Sequence, residues 1–415
     1  MSDLHAHQRQ APLPGLHPAP SLTRDARPAR GHHSARRPAR LLTPLLGGML
    51  AALLTLQTAW ADSAPVSGLQ AQTVAKGLEN PWAVAFLDDQ RFLVTERPGR
   101  LRVVHADGRI EPPVSGLPAI EASGQGGLLD LVTDPDFAHN QQLYFCYTEP
   151  GEGGTNGTAL ASARLSEDLR SLQQLKVLFR QLPKMAGRHH FGCRIVMGGQ
   201  GDLLMTLGER FTGMQQAQTL DNHLGKVVRL QRDGRVPADN PFAGRNGARA
   251  EIWSYGHRNP QGAAIGPDGA LWIHEHGPQG GDEVNRISPG RNYGWPVITY
   301  GEQYGGGRIG QGLTQQAGME QPLHQWTPSI APSGMAFIQG ERYGPQWRGQ
   351  MVVGSLKFRR LHRLAWQGEQ LVRDEVLAPA GLNQRVRDVR QGPDGWLYIV
   401  TDATDGQLMR LVPQR

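Results

Sequence analysis

Cysteine and aromatic residues are scarce in this chain, and no long helical repeat can be found in its pattern. The 415 residues include two cysteines, Cys146 and Cys193, too few for a disulfide-rich scaffold or a four-thiolate zinc site. Aromatic residues make up 7%, whereas glycine and proline number 53 and 30. This composition excludes a mainly helical protein and favours a loop-rich, all-β one. Both cysteines lie in apolar, strand-like stretches, so a disulfide between them and two separate buried thiols are both open.

Most of the chain also lacks an excess of charge of one sign. The formal net charge is +6, but the first 61 residues hold seven arginines against two aspartates, a formal +5. The remainder therefore carries a formal +1, which argues against a basic surface for nucleic acid. The seven arginines of the leader are Arg9, Arg24, Arg27, Arg30, Arg36, Arg37 and Arg40.

The same N-terminal stretch predicts export. An arginine-rich segment precedes the apolar run Leu41–Trp60, and an Ala-Trp-Ala cleavage pattern ends at Ala61. We therefore predict a signal peptide and basic leader over residues 1–61, cut near Ala61, and one catalytic domain over residues 62–415. A membrane anchor is the alternative, but a proline and two glycines interrupt the apolar run. We expect a periplasmic protein without a stable membrane anchor, exported by either the Sec or the twin-arginine route.

A strand, a turn rich in proline, aspartate and glycine, and a second strand recur along the rest of the chain. Two of the turns contain Asp268-Gly269 and Asp394-Gly395, dipeptides that suit tight hairpins. Six such repeats predict an all-β fold, a six-bladed β-propeller whose blades close into a ring around a channel. Two packed β-sandwiches are the alternative architecture. The six copies begin at Trp82, Leu128, Arg194, Gly262, Gly334 and Val386.

Polar residues are concentrated in six short motifs, most of which contain glycine or proline. Buried polar loops are costly unless they bind a ligand, and the loops at one end of a propeller channel bring distant parts of a chain together. The motifs therefore predict one shared site. In chain order they are GQGGLLD from Gly124, HHFGCR from His189, SYGHRNPQG from Ser254, EHGPQGGDE from Glu275, NYGWP from Asn292 and RVRDV from Arg385.

These six motifs, in this order, resemble those of the glucose/sorbosone dehydrogenase family, which contains soluble quinoprotein glucose dehydrogenases and bacterial aldose sugar dehydrogenases. The resemblance extends from Gln125 to Asp388 and looks closest to the periplasmic aldose sugar dehydrogenases. It implies an enzyme that uses pyrroloquinoline quinone (PQQ) and calcium. His190 matches the catalytic base of the family, and Glu209 falls where relatives have a carboxylate that orients this base.

The resemblance also implies a set of cofactor ligands. Gly277 and Pro278 match backbone carbonyl ligands of the calcium ion that contacts the quinone. Glu283 and Tyr293 match ligands of a second, structural calcium ion. The positions that match quinone-binding residues are Gln125, Arg258, Asn259, Tyr304, Ser355, Leu356, Lys357, Arg385, Val386 and Arg387.

The chemistry of these residues agrees with the implied roles. PQQ carries three carboxylates, for which Lys357, Arg385 and Arg387 would supply three cations. A neutral imidazole suits a base that works near neutral pH, so His190 can take the hydroxyl proton as hydride leaves C1 of a sugar. Calcium prefers oxygen ligands and would polarise the quinone carbonyl, with Arg258 stabilising the developing negative charge.

Several of these residues have simpler interpretations. Arg385 and Arg387 could form surface ion pairs with Asp388 or Asp402. Glu283 could belong to a capped turn that binds no metal.

The region near the expected sugar departs from the family pattern. His189 stands beside His190 where some relatives have aspartate, and the segment Gly305–Gln316 is shorter than in some of them. Neighbouring residues of a strand point to opposite faces, so only one of the two histidines can enter the site. The preferred sugar is therefore left open.

The expected activity is oxidation of aldose sugars at C1 to the lactone, with hydride passing to the quinone and then electrons to an external acceptor. We expect a monomer or a homodimer. The alternatives are a calcium-dependent propeller lactonase and a non-catalytic sugar- or protein-binding propeller. A lactonase would not need the three cations Lys357, Arg385 and Arg387.

Overall fold

The computed structural model describes residues 68–199 and 201–414. Within these residues, 23 strands form six antiparallel sheets, five of four strands and one of three. Each sheet is one blade of a ring, which confirms the predicted six-bladed β-propeller. The predicted leader over residues 1–61 and its cleavage site near Ala61 lie outside the described residues.

Strand β1 (Leu69–Leu78) belongs to the last blade, and the chain then builds the blades in order. The first three blades use eleven consecutive strands. Blade 1 comprises β2 (Pro81–Phe86), β3 (Arg91–Glu96) and β4 (Arg100–His105). Blade 2 comprises β5 (Leu128–Thr133), β6 (Gln142–Pro150), β7 (Asn156–Leu165) and β8 (Leu172–Arg180). Blade 3 comprises β9 (Gly192–Met197), β10 (Leu203–Leu207), β11 (Lys226–Leu230) and β12 (Ile252–Tyr255).

The other three blades follow the same antiparallel order. Blade 4 comprises β13 (Pro260–Ile265), β14 (Leu271–Glu275), β15 (Asp282–Ile287) and β16 (His324–Trp326). Blade 5 comprises β17 (Pro332–Phe337), β18 (Met351–Ser355), β19 (Arg360–Gln367) and β20 (Gln370–Leu377). Blade 6 comprises β21 (Val386–Gln391), β22 (Leu397–Thr401) and β23 (Gly406–Pro413), together with β1.

Helical structure in the described part of the chain is limited to single turns. They are α1 (Phe137–Asn140) and three 3-10 turns, Glu152–Gly154, Met214–Gln218 and Pro345–Trp347. No helix among the described residues is long and apolar enough to cross a bilayer.

Burial along the strands follows their place in the blade. All five residues of β10 are buried, because both faces of a middle strand are covered by neighbouring blades. The peripheral strand β20 has no fully buried residue and carries four charged or amide side chains. Apolar runs therefore mark the inner strands, whereas mixed runs mark the outer ones.

The first strands of the six blades, β2, β5, β9, β13, β17 and β21, pack side by side around a central channel. The ring closes in blade 6, where β1 pairs with β23 from Leu69 opposite Pro413 to Leu78 opposite Gly406. The two ends of the described chain are therefore held in one sheet. As a result, loops at the amino ends of all six inner strands gather at one end of the channel.

A disulfide joins Cys146 on β6 to Cys193 on β9, with 6.1 Å between the two Cα atoms. The sequence left this pairing open. The bond links blade 2 to blade 3 within a buried apolar cluster, three residues after His190.

Candidate active site

A pocket of about 260 Å³ lies at the amino ends of the inner strands and draws on all six blades. Trp82, Leu129 and Gln261 line it from the second positions of their strands. Five of the residues predicted to bind the quinone line the same pocket, although they are far apart in sequence. They are Gln125, Asn259, Leu356, Arg385 and Arg387.

The predicted base lies at the side of this pocket. His190 is 5% exposed, and the next two residues, Phe191 and Gly192, are part of the pocket wall. Its Nδ1 lies 2.7 Å from Oε2 of Glu209. Because an ionised carboxylate can only accept, Nδ1 carries the proton and Nε2 keeps its lone pair.

The surroundings of His190 keep its imidazole neutral. Burial lowers its pKa below the ordinary 6.5, although the hydrogen bond and the charge of Glu209 act in the opposite direction. Arg258 and His189 also contribute to the lowering. A neutral imidazole that is oriented by a carboxylate has the form required of a general base.

Backbone geometry fixes the base and its partner. His190 has a φ of 53°, a conformation that costs energy in a residue with a side chain and is held by its surroundings. The His190 amide donates to Oε1 of Gln125 at 2.8 Å. The Glu209 amide donates to the carbonyl of Arg258 at 3.0 Å. A Cβ on Gly208 would overlap the His190 carbonyl, so only glycine allows this approach.

Arg258 is held by carbonyl oxygens beside the base. Its Nη1 donates to the carbonyls of His276 at 3.1 Å and Gly277 at 2.9 Å. Its Nη2 lies 3.5 Å from the hydroxyl of Tyr304, a side chain that is 63% exposed. The guanidinium is thus buried, with one nitrogen close to the hydroxyl of an exposed tyrosine.

Two of the three predicted cations share one carboxylate. Nη2 of Arg385 and Nη2 of Arg387 each lie 3.1 Å from Oδ2 of Asp402, and all three residues line the pocket. The ion pair with Asp402 that the sequence allowed is therefore present, but inside the site. The third, Lys357, is exposed and does not line the pocket, and its Nζ lies 5.0 Å from the centroid of the Phe358 ring.

Three other predicted residues have their polar groups engaged in the scaffold. The hydroxyl of Ser355 donates to the Ile330 carbonyl at 2.6 Å. The Val386 carbonyl accepts from the Ser333 hydroxyl at 2.8 Å. Asn259 lines the pocket while its Oδ1 accepts the Gly192 amide at 3.1 Å, so it braces the segment that carries His190.

The loop predicted to hold calcium at the quinone is fixed by a buried carboxylate. Oδ1 of Asp282 accepts the Gly277 amide at 3.0 Å, and Oδ2 accepts the amides of Ile330 and Ala331. The Gly277 carbonyl lies beside Arg258, and the side chain of Pro278 packs near Gly301. Asp282 is therefore a loop anchor.

The predicted structural calcium ligands surround a cavity of about 10 Å³ lined by Glu275, Glu283, Tyr293 and Thr299 among others. Burial and the nearby Glu275 carboxylate raise the pKa of Glu283 to about 8. The hydroxyl of Tyr293 is already used, because it donates to Arg286 and accepts from Ser288. A ligand from Tyr293 would thus be its carbonyl. Among the described residues, no group of three or more His, Cys, Asp or Glu side chains is arranged around a metal position.

Sequence reasoning missed Arg97, which follows β3 in blade 1 and lines the pocket near Arg385 and Arg387. Its Nη1 donates to the carbonyl of Gly124. Its sequence context, TERPGR, contains no feature typical of a ligand site. The one signal available was its position directly after an apolar strand, at the same end as the motifs.

A second missed feature is an ion network in the channel. Arg194 on β9 lies 2.7 Å from Asp388 on β21, and Arg390 on β21 lies 2.6 Å from Asp130 on β5. The four charges are balanced, and both carboxylates are fully buried. Loss of one partner of such a network leaves an uncompensated buried charge.

The network separates the pocket from a cavity of about 660 Å³ at the opposite end of the channel, which Arg390 lines together with the last residues of the six inner strands. The sequence did contain a signal for this network, because its charged residues stand within apolar strands. Three of the four also belong to the six polar motifs.

Comparison with known proteins identifies the family. A family model described as Glucose / Sorbosone dehydrogenase matches residues 78–410. An aldose sugar dehydrogenase of Escherichia coli is 44% identical over 370 residues, which cover 88% of this chain and 98% of that protein. The crystal structure of the soluble aldose sugar dehydrogenase from Escherichia coli in the apo form matches with a TM-score of 0.80 and 43% identity, covering 83% of this chain and 100% of that one.

A structure of the PQQ-bound form of aldose sugar dehydrogenase from Streptomyces coelicolor also matches. Its TM-score is 0.68 at 29% identity, over 84% of this chain and 99% of that chain. The order of the six motifs, the ring of six blades and these matches agree. The chain belongs to the glucose/sorbosone dehydrogenase family.

Proposed function

We propose that this protein oxidises aldose sugars at C1 to the lactone, using PQQ and calcium. The observation that carries the proposal is the His190–Glu209 pair beside a pocket whose wall contains Arg385 and Arg387. The base can take a proton from a sugar hydroxyl, and the arginines can bind the carboxylates of an anionic cofactor. The names of the Escherichia coli relatives support the substrate class, and the PQQ-bound Streptomyces coelicolor structure supports the cofactor.

His190 is the general base of the proposed reaction. Its Nδ1–H is donated to Glu209, so Nε2 takes the proton of the C1 hydroxyl as hydride leaves C1. When bound, PQQ supplies the two-electron acceptor for that hydride. Arg258, whose charge reaches His190, stabilises negative charge that develops beside the base.

The residues present fit the anionic cofactor. Arg385 and Arg387 are directed by Asp402 into one wall of the pocket. Gln125 and Asn259 add amide groups to the same lining. Guanidinium groups bind carboxylates through paired, charge-assisted hydrogen bonds. These residues would hold the carboxylates and polar edge of the quinone.

The residues also fit calcium at both proposed positions. Carbonyl oxygens, which Gly277 and Pro278 would offer at the quinone, are ligands that calcium accepts. The buried Glu275 and the partly buried Glu283 line one small cavity together with Tyr293. Burial and, second, the charge of Glu275 raise the pKa of Glu283, and a divalent cation bound between the two carboxylates would oppose both effects.

The proposed function also includes export of the protein, transfer of electrons to an acceptor and an oligomeric state. The leader over residues 1–61 directs the chain to the periplasm and is removed near Ala61. An external acceptor would receive the two electrons taken from the sugar, and the enzyme acts as a monomer or homodimer. Amino-terminal sequencing of protein from the periplasmic fraction would test the first point.

The decisive experiment uses purified protein without cofactor. PQQ and calcium are added separately and together, and reduction of an artificial dye is followed with glucose and other aldoses. We expect sugar-dependent dye reduction only when both are present. Absence of that activity, together with cleavage of a lactone, would replace the dehydrogenase by the propeller hydrolase.

Ser254, His257 and Glu275 are arranged like a hydrolytic triad, but they do not support hydrolysis. The hydroxyl of Ser254 lies 2.9 Å from Nε2 of His257, whose Nδ1 lies 3.0 Å from Glu275. This is the order of a serine–histidine–acid triad. Ser254 and His257 are 0% exposed, so a substrate has no access to them. The set belongs to the scaffold behind Arg258.

A further inference from the structure

The cationic wall of the pocket also contains an acid. Lys357, Arg385 and Arg387 were assigned to the three carboxylates of PQQ, but Asp402 lies 3.1 Å from both arginines. Asp402 is mostly buried and lines the same pocket. Asp402 therefore offsets part of the positive charge that these two arginines offer to an anionic cofactor.

Arg97 is the other charged residue in this lining. Among the described residues that line the pocket, the charged ones are Arg97, Arg385, Arg387 and Asp402. His276 also lines it, but burial lowers its pKa to about 3, so it is neutral. The lining therefore contains three guanidinium groups and one carboxylate, and Arg97 is the one guanidinium among them that has no bond to Asp402.

Arg97 is close enough to act together with this group. Burial alone would raise the pKa of Asp402, but Arg387, Arg385 and also Arg97 hold it below its ordinary value. The three guanidinium groups come from adjacent blades, since blade 6, with Arg385 and Arg387, packs beside blade 1, with Arg97. Arg97 therefore extends one continuous wall.

We propose that Arg97 is a further cofactor-binding residue, which contacts a carboxylate of the quinone and balances the charge of Asp402. This inference rests on the proposed use of PQQ. The guanidinium is half-buried and is anchored by its bond to the Gly124 carbonyl. A pre-oriented guanidinium loses little freedom when it binds an anion.

The anchor also connects Arg97 to the base. Gly124 begins the turn that contains Gln125, whose amide donates to the Arg188 carbonyl at 2.9 Å. Oε1 of Gln125 in turn accepts the His190 amide at 2.8 Å. Arg97 thus fixes the turn that positions the segment Arg188–His190, so cofactor binding at Arg97 stabilises the base in place.

The test measures binding without turnover. Isothermal titration calorimetry would compare PQQ with its trimethyl ester on the apo wild type, Arg97→Gln and Arg97→Lys. Loss of one charge-assisted contact should weaken PQQ binding to Arg97→Gln roughly 10- to 100-fold. Arg97→Lys should keep most of the affinity. The ester, which lacks the negative charges, should bind wild type and Arg97→Gln within about threefold of each other.

Arg91→Gln is the matched control, because Arg91 lies at the other end of β3 and pairs with Asp88 at 2.7 Å. It should bind PQQ as the wild type does. Circular dichroism would verify that each variant is folded. If Arg97→Gln unfolds, Arg97→Met, which keeps the apolar stem and removes the charge, replaces it in the same comparison of PQQ and ester.

Two results would reject the inference. One is PQQ binding by folded Arg97→Gln within twofold of wild type. The other is an equal loss for PQQ and for the ester, which would assign Arg97 to the turn alone. Failure of the wild type to bind PQQ is a different outcome, since it would reject the proposed function and this inference with it.

Discussion

Two histidine–glutamate pairs lie close together in this propeller and have different surroundings. His190 lies 2.7 Å from Glu209, and His257 lies 3.0 Å from Glu275. Nε2 of His257 is taken by the Ser254 hydroxyl, and its ring stacks on Tyr293. Among the described residues, the side chain of His190 makes one hydrogen bond, through Nδ1 to Glu209, and Nε2 makes none.

The occupation of the second ring nitrogen therefore distinguishes the two pairs. An imidazole with both nitrogens engaged in the core holds neighbouring groups in place, and Glu275 uses its other oxygen to accept the Arg258 amide at 2.5 Å. An imidazole with one free nitrogen beside a pocket can take a proton. The same two residue types thus give a structural brace in one place and a candidate base in the other.

Replacement of His190, the histidine with an unoccupied Nε2, should have the largest effect on kcat. His190→Ala is expected to lower kcat roughly 10²- to 10⁴-fold, because the proton of the C1 hydroxyl loses its acceptor. PQQ affinity should change little. Steady-state dye reduction and calorimetry would measure the two quantities.

His189→Ala is the control, because His189 is adjacent and exposed. Its kcat should stay within a few-fold of wild type, and any change should appear in the KM for the sugar, because His189 lies near the expected sugar. Near wild-type turnover in His190→Ala would remove this residue from the base role.

Replacement of the orienting carboxylate should have a smaller effect. Glu209→Gln keeps an oxygen near Nδ1 of His190 but removes the charge that favours the protonated imidazole. Partners that orient a functional histidine contribute about 10- to 100-fold, so kcat should fall by that factor. A larger loss than in His190→Ala would contradict this order and point to a direct role for Glu209 in the chemistry.

Replacement in the buried pair should act on stability instead. His257→Phe leaves the Ser254 hydroxyl and one oxygen of Glu275 without a partner, at a cost of about 1–3 kcal/mol for each buried group. Urea denaturation would measure the loss. At a temperature where the variant is folded, kcat should stay within about tenfold of wild type. A fall as large as in His190→Ala would abolish the distinction between the pairs.

The smallest of these expected effects is in the pH dependence of kcat/KM. The base works when neutral, and burial lowers the pKa of His190 below 6.5, so kcat/KM should fall only as pH drops through a value below 6.5. In Glu209→Gln the carboxylate that raises this pKa is gone, and the acid limb should shift to lower pH. Rates measured over about pH 5 to 8 would test both points. A wild-type midpoint at or above 6.5 would indicate a different titrating group.

The fold and much of the site could be predicted from particular residues. The repeats beginning at Trp82, Leu128, Arg194, Gly262, Gly334 and Val386 each contain the inner strand of a blade or most of it. Each repeat needs a neighbour to cover its apolar face, so their number implies a ring. Motifs at the same end of successive strands meet at one mouth, as Gln125, Asn259 and Arg387 do.

Charge placement within that mouth was less predictable. Asp402 was considered only as a partner of surface arginines, yet it lines the pocket. Arg97 was not considered, because one arginine in a turn has many ordinary roles. Asp130 and Arg194 belong to motifs that the sequence analysis identified. Their ion-pair partners both lie on β21 of blade 6, more than 190 residues further along the chain.

The sequence by itself determined the family, the strand pattern, the order of the motifs and the residue types that can bind an anion or take a proton. The strand pattern follows from local periodicity, whereas the family follows from the resemblance of the six ordered motifs to those of its members. Tertiary structure alone decided that Cys146 meets Cys193, that Asp402 lies between two arginines, and which of two histidine–glutamate pairs keeps a free nitrogen. The physical reason is that charge balance and burial depend on groups from several blades, whose distances arise only when the ring closes.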